Sequence, residues 1–233
     1  MKSAFAAPGV ALLLTGCVAV APVALPLPGA GPITPPAAGH ELQPVGGNLF
    51  VDVSAASAQI AAIQGHVAAA RGQVAQAMGS AAARPQIRVC VSPACDTAYG
   101  MTTKGLSVLG QRLDISSRAW DHRPTYVHEL VHIEMQSPDL LLMRLRRPVP
   151  TWFDEGIATL VSGTVGADLG AAECAALAGR QLPTTPPAFT AFTREVGFRT
   201  AYGAAACRVK DWVAAGNTTQ GAIPELRAGQ GLP

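Results

Sequence analysis

The stretch Arg123-Pro124-Thr125-Tyr126-Val127-His128-Glu129-Leu130-Val131-His132-Ile133-Glu134-Met135-Gln136-Ser137-Pro138 organises the reading of this chain. Asp121 and Thr125 flank Pro124, a helix-start signature with Thr125 as the expected cap, and Ser137-Pro138 stops the helix after Gln136. Val127, Leu130, Val131 and Ile133 surround it with apolar surface. A polar trio in so apolar a segment is costly unless it is used. His128 and His132 are four apart, so both imidazoles lie on one helix face, one turn apart. Two ring nitrogens so placed can reach one metal ion about 2 Å away. Glu129, beside the same face, can take a proton from a water at the ion without being a ligand.

Upstream, an Ala-rich run from Ser54 to Met78 carries Ile60, Ile63, Val67, Val74 and Met78 at helical spacing. Gln86–Ser92 alternates and is rich in Val and Ile, which predicts a strand ended by Pro93. Gly105–Ile115 predicts one or two more strands. Downstream, a short helix is expected over Asp139–Arg147, broken by Pro148 and Pro150, then a helix over Thr151–Ser162. The rest reads as helical, with Ala-rich runs near 171–180 and 200–214. Strands confined to the first half and helices alone in the second predict an α+β fold, a small mixed sheet followed by a helical C-terminal half.

The N-terminus predicts export. Met1-Lys2 precedes an apolar run, Ala4–Leu14, too short to span a bilayer and suited to a signal peptide. Leu14-Thr15-Gly16-Cys17 resembles a bacterial lipobox, which implies a signal peptide over 1–16 and a lipidated Cys17. Val18 in place of an acid points to the periplasmic face of the outer membrane. Residues 17–46, with Pro22, Pro26, Pro28, Pro32, Pro35, Pro36 and Pro44, read as a semi-rigid tether, leaving 47–233 as the working domain. Cys90, Cys95, Cys174 and Cys207 fit two disulfides in an oxidising compartment. Three pairings are open, and sequence closeness favours Cys90–Cys95, leaving Cys174–Cys207. No CxxC spacing suggests a thiolate metal site. The net charge is +2, with no basic run, which argues against a nucleic-acid partner. A membrane contact through the N-terminal lipid and a monomeric chain are expected.

A two-His site needs a third protein ligand. Met135 and Pro138 stand where the metzincin pattern has Gly and His, which excludes that pattern. Pro150-Thr151-Trp152-Phe153-Asp154-Glu155-Gly156-Ile157-Ala158 stands ahead. HELVH followed by PTWFDEGIA resembles the gluzincin metallopeptidases, most closely the small peptidase MA-like type. The resemblance implies a zincin-like fold, one zinc ion held by His128, His132 and Glu155, and peptide hydrolysis with Glu129 as the base. It also implies a substrate backbone added to a strand beside the active-site helix, for which Leu106–Ile115 is the candidate. Ala201-Tyr202-Gly203 resembles a late segment of such enzymes, which makes Tyr202 a candidate oxyanion donor; a Tyr packed at a helix interface is the alternative. Thr159 stands where related enzymes carry an acid that orients a metal-bound His, leaving that role to Asp154 or a backbone carbonyl. A non-catalytic zinc-binding lipoprotein and a cell-wall peptide amidase are the competing functions.

Overall fold

The structure, a computed structural model, describes residues 41–137 and 149–228. The expected signal peptide, Cys17, most of the expected tether and the helix expected over Asp139–Arg147 lie outside the described residues. The fold is α+β, with eight helices and one five-stranded mixed sheet among the described residues.

The strands are β1 (Leu42–Gly46), β2 (Leu49–Asp52), β3 (Gln86–Val89), β4 (Gly105–Val108) and β5 (Arg112–Ile115), in sheet order β1-β2-β3-β5-β4. β2, β3 and β5 are parallel, and each edge strand joins by an antiparallel pair. The parallel step from β2 to β3 requires a crossover, supplied by helix α1 (Ser57–Met78). Alternation along the strands sends Val51, Ile87, Val89, Leu113 and Ile115 into the core. There they join Ile63, Ala70, Val74 and Met78 of α1 and Tyr126, Val127, Leu130 and Ile133 of α3 (Arg123–Met135). Residues of the opposite alternation form a charged set. Asp114 sits directly across from Arg88, which grips it with two bonds of 2.6 and 2.7 Å, and Arg112 adds a third at 3.1 Å.

The expected tether overlaps the sheet. Leu42–Gly46 pairs with β2 as strand β1, so the domain begins before residue 47. Pro44 is compatible because β1 is an edge, where a missing N–H leaves no ladder bond unmade. Pro93 does not merely end a strand. It is the first residue of helix α2 (Pro93–Tyr99), whose cap Ser92 accepts a bond from the Cys95 N–H. Thr125 is not the cap of α3. His122 holds that position, and the Thr125 hydroxyl lies 2.9 Å from His122 Nδ1 inside the first turn.

Helix α4 (Thr151–Ser162) agrees with its predicted bounds and packs between α3 and α7 (Phe198–Ala214). Helices α5 (Ala171–Leu177), α6 (Pro186–Val196) and α8 (Thr219–Arg227) complete the described residues. The structure pairs Cys90 with Cys95, joining the end of β3 to α2, and Cys174 with Cys207, joining α5 to α7.

The α4–α7 approach depends on Gly156. A Cβ there would lie 2.5 Å from the Ala205 carbonyl oxygen and 2.8 Å from Val209 Cγ2. Gly65, in α1, has nothing within 4 Å of the same point. Gly156→Ala is therefore expected to destabilise the domain by about 1–3 kcal/mol through overpacking. Gly65→Ala should stabilise it by about 0.5–1 kcal/mol through reduced chain entropy and better helix propensity. Urea unfolding of both variants checks the opposite signs.

Candidate metal centre and active-site cleft

Helix α3 presents His128 and His132 toward α4, and the N-terminal part of α4 presents Asp154 and Glu155 back. The start of α4 has no side-chain cap, because Pro150 occupies that position. Its free N–H groups are satisfied from elsewhere. Thr151 donates to the Thr184 carbonyl at 3.0 Å and Trp152 to the Pro183 carbonyl at 3.3 Å. Those bonds hold the chain at Pro183 and Thr184, and Thr184–Pro186 form one wall of a cleft of about 630 Å³. The other wall is β4, with Gly105, Leu106 and Ser107, and Tyr202 of α7 also borders the space.

Three ligand-type atoms converge in this cleft. His128 Nε2 and His132 Nε2 are 3.2 Å apart. Glu155 Oε2 lies 3.3 Å from the first and 3.5 Å from the second. A tetrahedral ion with ligand bonds of about 2.05 Å sets its ligands about 3.3 Å apart. The triangle fits that demand without rearrangement. Glu155 Oε2 is buried and receives no well-directed hydrogen bond, as expected of an oxygen whose lone pairs aim at a shared point. His128, His132 and Glu155 thus form a group that could hold a metal ion.

The two imidazoles are supported unequally. His132 Nδ1 lies 3.1 Å from Asp154 Oδ1, which turns Nε2 toward the triangle. Adjacent residues on one helix therefore grip opposite ring nitrogens, Asp154 through Nδ1 and Glu155 through Nε2. His128 Nδ1 is buried with no hydrogen-bond partner. Thr159 is fully buried, its hydroxyl also without one, and the orienting acid is Asp154.

Glu129 is 8% exposed and lines the cleft beside β4. Burial is the main influence on its carboxyl, and its pKa is raised despite the neighbouring histidines. Burial opposes protonation of His132, but the charges of Asp154 and Glu155 outweigh it and raise the imidazole pKa well above its ordinary value. For Glu155 burial acts upward, and contact with His132 and His128 overcomes it, holding the carboxyl far below the usual range.

No protein family, curated protein or solved structure matches the chain. The centre therefore has to be read from its own geometry.

Tyr202 lies where a helix interface meets the cleft. It packs between Phe198, stacked at 5.5 Å, and Phe189, edge-on at 5.4 Å, yet its ring lies 6.1 Å from that of His128. Burial first, then the charges of Glu155 and Glu129, raise the phenol pKa, so it stays a proton donor. Tyr126 is core, bonded to the Trp120 carbonyl, and His66 packs against its ring. Gly105 and the wall at Thr184–Pro186 carry no sequence signal of a place in the site, since each is drawn there only by folding, whereas Leu106 and Ser107 fall in the strand expected beside the active-site helix.

Asp154→Asn is expected to keep the fold and weaken metal binding about 10- to 100-fold, read by competition with a chromophoric chelator. Without metal, His132 has a raised folded-state pKa. Its contribution to stability is complete below the unfolded value near pH 6.5 and is lost as pH rises through the folded value. Metal competes with that proton. Metal affinity should therefore rise by about tenfold per pH unit while one proton is displaced, and level off above the His132 pKa. Titrations across pH 6–9 check the slope.

Proposed function

We propose that the protein is a zinc-dependent peptidase of the gluzincin type, exported and anchored by a lipid on Cys17 to the periplasmic face of the outer membrane. The observation that carries the enzymatic reading is a buried carboxylate that belongs to no ligand pair, Glu129, set beside the His128–His132–Glu155 triangle in an open cleft. A site that only stored a metal would not need that group. The ligand set of two imidazoles and one carboxylate suits zinc and leaves a fourth position for water or substrate.

Zinc, when bound, would polarise the scissile carbonyl and make the attacking water more acidic. Glu129 takes a proton from that water as its oxygen bonds to the carbonyl carbon. Glu129 then passes the proton to the amide nitrogen as the C–N bond breaks, so base and acid are one group. Its raised pKa suits both halves of that exchange. Tyr202, kept protonated, is the candidate donor to the carbonyl oxygen as negative charge develops there. The free edge of β4 borders the cleft and supplies a backbone against which an extended peptide can pair. Export agrees with two disulfides in so small a domain.

Glu129→Gln is expected to retain one zinc per chain and to lose about 10²–10⁴-fold in peptide hydrolysis. Tyr202→Phe should lower kcat by roughly 10² with little change in KM. Zinc content by atomic absorption and cleavage of a mixed peptide library check both. Full activity in Glu129→Gln would refute the mechanism. Zinc binding without any cleavage by the wild type would favour a binding lipoprotein.

A further inference from the structure

Strand β4 does more than border the cleft. A Cβ placed on Gly105 would lie 2.6 Å from Glu129 Cγ, 2.7 Å from Oε1 and 2.9 Å from Cδ. All three nearest atoms belong to Glu129, and they run along its side chain rather than marking only its tip. The φ of Gly105 is not positive, so its backbone does not itself call for glycine. What excludes a side chain there is Glu129. β4 is an edge strand, so no further strand among the described residues lies on its free side. The Thr103 hydroxyl donates to the Gly105 carbonyl at 2.7 Å and steadies the entry to the strand.

We infer that Gly105 is a positioning residue: its bare backbone is the seat against which Glu129 lies, so that the edge strand aims the base at the metal triangle. The inference builds on the proposed hydrolysis, but its geometric core stands apart from it. A floppy Glu on a helix would sample many rotamers. One pressed into a glycine seat holds few, and a proton-transfer group gains most from that restriction.

The test is a double-mutant cycle in thermal unfolding of the zinc-loaded full-length protein, with Gly105→Ala introduced into the wild type and into Glu129→Ala. In the wild type Gly105→Ala should lower Tm by roughly 3 °C or more, the scale of a 1 kcal/mol loss in a domain of this size. In Glu129→Ala the colliding atoms are gone, and the same substitution should change Tm by less than about 1 °C. If Gly105→Ala does not fold alone but folds in the Glu129→Ala background, the seat is supported as strongly. Equal losses in both backgrounds, or no loss in either, overturn it. A second readout uses peptide cleavage. Gly105→Ala should keep its zinc and its KM while kcat falls at least tenfold, and adding Gly105→Ala to Glu129→Gln should cost nothing further. A further loss there would mean that Gly105 acts on the reaction by another route. If the wild type cleaves no peptide, the proposed function fails while the thermal cycle still decides the seat.

Discussion

Two imidazole nitrogens and a carboxylate oxygen are held within 3.2–3.5 Å of one another at the cleft, and the surrounding architecture serves that juxtaposition. Such a cluster repels itself unless protons or a cation compensate. It also has to be desolvated, which no single helix can do. α3 supplies both imidazoles at the i, i+4 spacing. The carboxylate must come from a second helix close enough to touch, and α4 meets the requirement because Gly156 lets α7 press on its far side, against the Ala205 carbonyl.

The same packing explains why Asp154 and Glu155 act as a pair. Successive residues on a helix point about 100° apart, so neighbours rarely serve one target. Here the target is a ring with two nitrogens on different sides. Asp154 takes Nδ1 and Glu155 faces Nε2. The result is an imidazole with fixed orientation and raised basicity beside another, His128, whose Nδ1 has no hydrogen-bond partner.

The sheet contributes through its edge. A residue larger than glycine at 105 would meet the Glu129 side chain. An unpaired edge is ordinarily a liability for aggregation. Here Gly105, Leu106 and Ser107 of that edge line the cleft. The disulfides lie away from the cleft lining and staple α2 and α5 to their neighbours.

Local rules written into the chain settled much of this. The i, i+4 histidines, the bounds of α4, the helical run to Met78 and the strand beginning at Gln86 follow from periodicity and from prolines, which act over a few residues. The candidacy of Glu155 came from the residues around it, since motif context travels with the sequence. Strand β1 was hidden because Pro44 and the preceding prolines look like linker, and only its partner β2 makes it a strand. Ser92 as cap with Pro93 at the first helical position is a local signal of the helix that starts there. Asp154 is legible in the sequence as a candidate partner of a histidine, and the fold places it rather than a backbone carbonyl on His132. The roles of Gly105 and the Thr184–Pro186 wall could not be read from order along the chain. Each depends on which segments come to lie within a few ångströms, and packing of distant elements decides that.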